Sequence, residues 1–360
     1  MQPISKPAPP RRKVDVAKRP PATRRAIDTV RLEAMQAAKR LHHQLGTRAR
    51  IEQSGGDIDV FGAIDDLDVP LIFRPLSTAL GLCLPTPLRG IMVTTKRSLH
   101  IQRFTAAHEL GHIILNHQAS IDREILERAP YLPDNDRNPQ EIAADAFAAE
   151  FMLPRWLFLL HIRRQQWSSG HLRNPDIVYQ LALRLGASFK ATCWGLVGHE
   201  LLSRGDADIL VKSNLAKLKA AVGEGLTPGH GQADAWRLTD RDHRTRVVGN
   251  PDDLVTLVLE EQCSAGYEWD TRSLALTGFT VARDETRPLA SELNFGAPCH
   301  RHLALRLTAR GQHRIELSEH RPWVQAAPDD RQFVIALDFH GAELGGLPLI
   351  VRHRRGALAA

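Results

Sequence analysis

The chain has 360 residues, 43% hydrophobic and 24% charged, a globular balance that excludes wholesale disorder. A length of this order suggests about two or three domains, each able to bury its own core. The net charge of +6 raises the question of a nucleic-acid or membrane partner, and its distribution along the chain narrows the answer.

Residues 1–25 carry eight Lys/Arg and one Asp, with prolines spaced through them, and read as a disordered basic tail. A helix is predicted from about Ala26 to Leu45, where Ile27, Val30, Leu32, Ala34, Ala37, Ala38 and Leu41 recur at helical spacing. Three short strand-like pieces follow, Val69–Arg74, Leu80–Leu84 and Gly90–Thr94, and then a helical stretch over Leu99–His117. Asn138-Pro139 opens another helix, since Asn favours the N-cap and Pro the first helical position; Pro154 closes it.

Residues 26–154 hold 13 basic and 17 acidic groups. Residues 155–222 are basic, ten against four, and read as helices separated near Gly170, Gly186 and Gly205. The stretch 223–240, which opens on the Gly-rich run Gly223–Gln232 with one Pro and one His, reads as a linker. Val255–Glu261, Phe279–Arg283, His302–Thr308, His313–Ser318 and Gln332–Phe339 are strand-like runs separated by turns, the pattern of a β-sandwich over 241–345. Residues 346–360 remain as a C-terminal tail.

Four cysteines, Cys83, Cys193, Cys263 and Cys299, lie far apart without CxxC pairing, too sparse for a disulfide scaffold and wrong for a zinc knuckle. No apolar run approaches the roughly 18 residues of a membrane span, and the basic N-terminus lacks the apolar run of a signal peptide. A cytoplasmic protein with no membrane contact is the expectation.

The most informative stretch is Phe104–His117, FTAAHELGHIILNH. It holds HExxH, with His108 and His112 one helical turn apart on one face, so that both imidazoles reach one ion. With 17 His and 17 Glu in the chain, random placement gives roughly 0.04 such matches. The flanking Ala106, Ala107, Leu110, Ile113, Ile114 and Leu115 make the helix apolar around most of its circumference. Two histidines and a glutamate buried there need partners, because bare burial costs several kcal/mol. A metal satisfies them. Zinc lowers the pKa of a water from about 15.7 to about 7, and Glu109 is positioned to take the proton and pass it to a leaving amine.

A catalytic zinc needs a third protein ligand and one open position. His117 is five residues past His112, and helix geometry does not bring it to the same ion. Glu141 is the candidate, with Asp145 one turn on as a hydrogen-bonding orienter of a ligating histidine. Asn138-x-x-Glu141 is also a capping-box arrangement, so Glu141 has two readings. Two histidines and a glutamate suit Zn2+, and Mn2+ stays open as the alternative. Tyr131 is a candidate donor to the oxyanion of a tetrahedral intermediate.

FTAAHELGHIILNH followed by ExxADxFAAEFMLP resembles the ImmA/IrrE-type metallo-endopeptidases, zinc enzymes of the gluzincin kind, over roughly residues 26–200. GIMVTTK resembles their edge strand beside the cleft. The resemblance implies His108, His112 and Glu141 as ligands and Glu109 as catalytic base. It also implies, as substrate, a helix-turn-helix transcriptional repressor, often in a stress response. The family more often has Asn where Asp145 stands and a second acidic residue where Ala143 stands. DIVYQLALRLGASFKATCWGL, residues 176–196, resembles the helix-turn-helix-like segment that follows the peptidase. It can equally be a helical packing unit, with Arg163, Arg164, Arg173, Arg184 and Lys190 as the residues that would meet DNA.

LEEQCSAGYEWD, residues 259–270, is similar to the first loop of chagasin-type cysteine-protease inhibitors. Residues 320–337 resemble their RPW loop and last strand, and residues 294–300 occupy the place of their middle loop. These domains are Ig-like sandwiches whose three loops meet a papain-type cleft. Gly266, Tyr267, Trp269, Arg321, Pro322 and Trp323 match, whereas the polar tip has become Gln262-Cys263-Ser264-Ala265 and the glycine pair of the middle loop Pro298-Cys299. The expected architecture is therefore multidomain α+β: a gluzincin-like peptidase core, a helix-turn-helix-like helical segment and an Ig-like all-β sandwich. The expected function is zinc-dependent hydrolysis of a peptide bond in a regulatory protein. Two alternatives are a protein-binding module or cysteine-protease inhibitor on an inactive peptidase scaffold, and a DNA-binding regulator.

Overall fold

The computed structural model describes residues 24–84, 87, 89–117, 121–122, 138–288, 299–324 and 330–359. The first half is built around helices whose small residues allow close packing. Helix α1 (Arg24–Gln44) buries Ala34, Ala37, Ala38 and Leu41 against the core, and α2 (Thr47–Ser54) and α3 (Val60–Asp65) follow it. Strands β1 (Leu71–Arg74), β2 (Gly81–Leu84) and β3 (Gly90–Thr94) lead into α4 (Leu99–Ile114), and β4 (Ile121–Asp122) comes after it. The sheet order is β1-β3-β2-β4, parallel between β1 and β3 and antiparallel elsewhere. GIMVTTK was expected at the sheet edge; β3 is instead an inner strand, because β1 and β2 pair with its two sides. The edge on the β2 side is β4.

Helix α5 (Pro139–Met152) starts where the Asn-Pro pair predicts, and the Asn138 side chain accepts from the Gln140 N–H at 3.1 Å. Then come α6 (Arg155–Arg164), α7 (Pro175–Leu185), α8 (Phe189–Gly198), α9 (Arg204–Leu210) and α10 (Leu215–Val222). Gly186 ends α7 in the left-handed conformation at φ 61°, as a glycine C-cap does. Gly205 does not separate one helix from the next; it lies in the first turn of α9, capped by Ser203.

The second half is a sandwich of two four-stranded sheets. Its strands are β5 (Ala235–Thr239), β6 (Thr245–Val248), β7 (Leu254–Glu261), β8 (Glu268–Trp269), β9 (Phe279–Pro288), β10 (Cys299–Leu307), β11 (Gly311–His320) and β12 (Arg331–Phe339). One sheet runs β5-β7-β10-β9 and the other β6-β12-β11-β8. Alternate residues of the facing strands, among them Leu257, Leu303, Ile315, Leu317, Phe333 and Ile335, fill a core separate from that of the helical half. Leu183 of α7 packs against both cores.

Two expected boundaries differ. The span 223–240 is not all linker, since β5 lies in it and extends a sheet beside β7. The cause is α7: the Tyr179 hydroxyl accepts from Ala235 N, and Gln180 bonds both Ala235 O and Arg237 N at 2.8 Å. Next to these, Arg184 makes a two-point ion pair with Asp242, both side chains 3% exposed. Removing one partner of such a buried pair costs on the order of 3–5 kcal/mol.

The span 346–360 is likewise not a tail. Gly346 exchanges two backbone hydrogen bonds with Phe73 of β1, at 2.8 and 3.0 Å. Gln102 of α4 bonds the backbone of Glu343 in both directions. Helix α11 (Leu349–Ala359) then lies on α3, with Arg354 bonded to Asp65 and Asp66. The chain thus returns to the helical half after completing the sandwich.

Two buried histidines give this fold a pH dependence. Burial pushes His42 and His161 down from 6.5 to about 4, and Arg184 adds to the effect at His161. The unfolded chain therefore binds more protons between about pH 6.5 and 4, and folded stability is intact above that window and lost on descending through it. We expect the urea midpoint to fall between pH 7 and 4.5. His161 bonds the Gly56 carbonyl, which an amide also satisfies, so His161→Gln should flatten the profile by on the order of 3 kcal/mol. Equal slopes in variant and native chain would refute this origin.

Candidate metal centre

Helix α4 is buried from Gln102 to Ile113, apart from Phe104, and this places the motif residues inside the protein. Gly111, within HELGH, allows α5 to approach: a Cβ there would lie 3.3 Å from the Ala144 Cα and 3.1 Å from Phe147 Cδ1. That contact brings the first turn of α5 to the two imidazoles. His108 Nε2 and His112 Nε2 stand 3.0 Å apart, and the Glu141 carboxylate reaches His108 Nε2 at 3.2 Å and His112 Nε2 at 3.7 Å.

One donor atom from each of these three residues lies within 4.8 Å of the others. In a tetrahedral site with bonds of about 2.0–2.1 Å, neighbouring donors sit roughly 3.3 Å apart. Two ring nitrogens and a carboxylate at these distances fit a divalent cation, and zinc or manganese suits the donor types. Of the two readings of Glu141, the geometry favours the ligand: Asn138 caps the helix through Gln140, while the Glu141 carboxylate faces the histidines.

Asp145, one turn along α5, accepts from His108 Nδ1 at 2.9 Å. With an ion in place, Nδ1 would keep its proton for Asp145 and Nε2 would offer its lone pair to the ion. Burial works against a charged His108, yet the hydrogen bonds to Asp145 and Glu141 and the charges of Asp145 and Glu109 outweigh it and raise the group to about 10.

Glu109 is fully buried on α4, and its side chain lies against β2. A Cβ at Gly81 would come within 2.7 Å of Glu109 Oε1 and 2.5 Å of Thr105 Cγ2, so glycine makes room for the carboxylate. His117 stands outside the donor cluster, but its Nδ1 touches His112 Nδ1 at 3.0 Å. Tyr131 and residues 294–298 of the middle loop lie outside the described residues.

The helix-turn-helix-like segment takes the expected shape, α7, Gly186 and α8, with Ser188 capping α8 through Ala191 N. The segment packs inward, however. Phe189, Thr192, Cys193, Gly195 and Leu196 are buried, and of α8 only Lys190 and Gly198 are exposed. Arg184 is held by Asp242 and does not face solvent. This is the packing-unit reading.

The six residues matched to inhibitor loops separate into two groups. Trp269 is 2% exposed, donates its indole N–H to the Glu260 carbonyl and lies under Arg331, so it shapes the loop from inside. Arg321, Pro322 and Trp323 are exposed, Trp323 by 73%. Arg321 stacks 4.9 Å over Tyr267 and donates to the Ala265 carbonyl. Gly266 has φ 77° and leaves no room for a Cβ, which would lie 2.6 Å from Trp323 Cη2.

Contrary to the expectation from cysteine spacing, Cys263 and Cys299 form a disulfide, their Cα atoms 6.0 Å apart. They are 36 residues apart in sequence, and the pairing of β7 with β10 brings Cys299 opposite Glu261. The bond ties the first loop to the start of β10. It is also the feature at odds with a cytoplasmic setting, since reducing compartments keep thiols apart.

Family comparisons agree with this division. Residues 64–196 match the IrrE N-terminal-like domain and residues 250–337 match the chagasin family of peptidase inhibitors. The chain joins an ImmA/IrrE peptidase-like domain to a chagasin-like domain. Among solved structures, a cysteine protease inhibitor from Entamoeba histolytica is 20% identical, covering 29% of this chain and 95% of its own, with a TM-score of 0.26. Amebosin is 23% identical with the same coverages and a TM-score of 0.25. No curated protein matches the chain.

If the three donors hold an ion, adding zinc should raise the melting temperature, because a ligand of the folded state stabilises it by mass action. At 100 times the dissociation constant the gain is about 2.7 kcal/mol. A chelator should reverse the shift, and His108→Phe should abolish it. A zinc response that persists in His108→Phe would locate the ion elsewhere.

Proposed function

We propose that this chain is a zinc-dependent endopeptidase that cleaves a regulatory protein, with the C-terminal sandwich serving protein recognition. The observation that carries the reading is the convergence of His108 Nε2, His112 Nε2 and the Glu141 carboxylate, with Glu109 on the same helix. An ion held by these three residues supplies Lewis acidity to a peptide carbonyl and acidifies water.

The chain's own residues do the remainder. Asp145 holds His108 in the tautomer that offers Nε2. Glu109 takes a proton on its carboxylate and returns it to the nitrogen of the leaving amine. Its burial between Thr105 and Gly81 keeps competing water away and limits the directions in which it can turn. The likeness of residues 26–200 to ImmA/IrrE enzymes nominates a helix-turn-helix repressor as substrate, and Mn2+ is the alternative ion.

The test is incubation of the zinc-loaded full chain with a candidate repressor. Glu109→Gln should lower cleavage by roughly 10²–10⁴-fold while leaving zinc content unchanged. Undiminished cleavage would sink the mechanism.

A second reading applies to the sandwich alone. The exposed Trp323, the Arg321–Tyr267 stack beside it and the disulfide at the first loop favour a preorganised protein-binding edge. On the cysteine-protease-inhibitor reading, the full chain should inhibit a papain-type enzyme at micromolar concentration, and Trp323→Ala should weaken inhibition at least tenfold, as truncation of an aromatic anchor does. Absence of inhibition would leave this edge to another protein partner.

A further inference from the structure

Helix α4 does not simply stop after the motif; it turns back on itself. Leu115 N bonds Gly111 O, Asn116 N bonds Ile113 O, and His117 N bonds His112 O at 2.9 Å. Asn116 sits at φ 54°, in the left-handed region that Asn tolerates better than most residues. These are the paired bonds of a Schellman turn, with Asn in the position glycine usually takes. The turn carries His117 back under the helix end, so that its ring crosses that of His112 at 70° with centroids 5.0 Å apart. The two Nδ1 atoms are 3.0 Å apart.

A contact of that length between two ring nitrogens needs one hydrogen between them. His112 offers Nε2 to the donor cluster, so Nε2 must carry a lone pair and the proton belongs on Nδ1. Nδ1–H then donates to Nδ1 of His117, whose own proton sits on Nε2. His108 is held in the same manner on the other side, with the Asp145 carboxylate as acceptor. Each candidate ligand imidazole thus has its own acceptor, a carboxylate for one and an imidazole for the other.

We propose that His117 is a positioning residue of the metal centre, fixing the tautomer and ring orientation of His112 through the Nδ1–Nδ1 hydrogen bond. The proposal rests on the metal-centre reading above and deepens it. His117 touches neither ion nor substrate; it acts through His112. The Schellman turn is what supplies it, and the turn's backbone bonds do not need the His117 side chain.

The experiment compares zinc affinity of the full-length chain with that of His117→Phe and His117→Gln, by competition with a chromophoric chelator at neutral pH. Phenylalanine fills the ring's space without an acceptor, whereas the glutamine amide oxygen accepts. We expect His117→Phe to weaken zinc binding about 10- to 100-fold and His117→Gln to stay within a few-fold of the native chain. The visible spectrum of the cobalt-loaded protein should change in the first variant and persist in the second. Melting of the metal-free proteins should coincide, separating loss of positioning from loss of fold, and His117→Leu repeats the comparison with a smaller apolar side chain. Native affinity in His117→Phe, or a glutamine variant no better than the phenylalanine one, would overturn the proposal alone. A native chain that takes up no zinc would overturn the metal centre and the proposal with it.

Discussion

The close approach of α4 and α5 at Gly111 is the constraint from which the candidate centre follows. A methyl group there would press on Ala144 and Phe147 at 3.1–3.3 Å, and the helix that carries Glu141 would have to give way. Ala143, Ala144 and Ala148 of α5 are buried in the same way, small residues that permit a short separation. The polar groups depend on that apolar seam. Asp145 reaches His108 across the packed pair, and the two carboxylates one turn apart address different nitrogens of one ring.

The sandwich is joined to this unit more tightly than a tether allows. Arg184 and Asp242 sit buried between them, surrounded by Gln165, Gln180 and the Arg237 carbonyl, so that both charges have several hydrogen-bonding partners. Charges removed from water at such a junction are tolerable only when fully coordinated, which fixes the geometry closely. On the far side, Glu343 and the fully buried Gln102 of α4 form a second polar contact. The helices following the peptidase core therefore act as a base for the sandwich, consistent with their inward-facing α8.

The elements legible in the sequence were those with a local signal. The apolar setting of HExxH marked α4, Asn138-Pro139 marked α5, and alternating Val, Leu and Ile marked the sandwich strands. Helix α2 was not legible because only Thr47 and Ile51 are buried, too few for a stripe. Strand β5 and the returning segment after residue 341 were hidden because their partners, α7 and β1, lie far away in the chain. The disulfide was hidden for the same reason. In the candidate centre, HExxH and Glu141 were readable, and the role of His117 was not, although Leu115-Asn116 carries the signal: an Asn just past an apolar helical run is a frequent left-handed cap. Trp269, a matched loop residue, is core.

The bridge between Phe73 and Gly346 has a consequence for the order of synthesis. Strand β1 forms one margin of the peptidase sheet, and its outer side is covered by a segment made some 270 residues later, a separation read from the two positions. On the ribosome, then, the helical half emerges with an open strand margin and waits for the whole sandwich before it is closed. An open margin is the region of a sheet most prone to pair with a neighbouring chain, and domains are ordinarily completed in the order in which they are made. Here the first unit to emerge is the last to have its sheet margin covered.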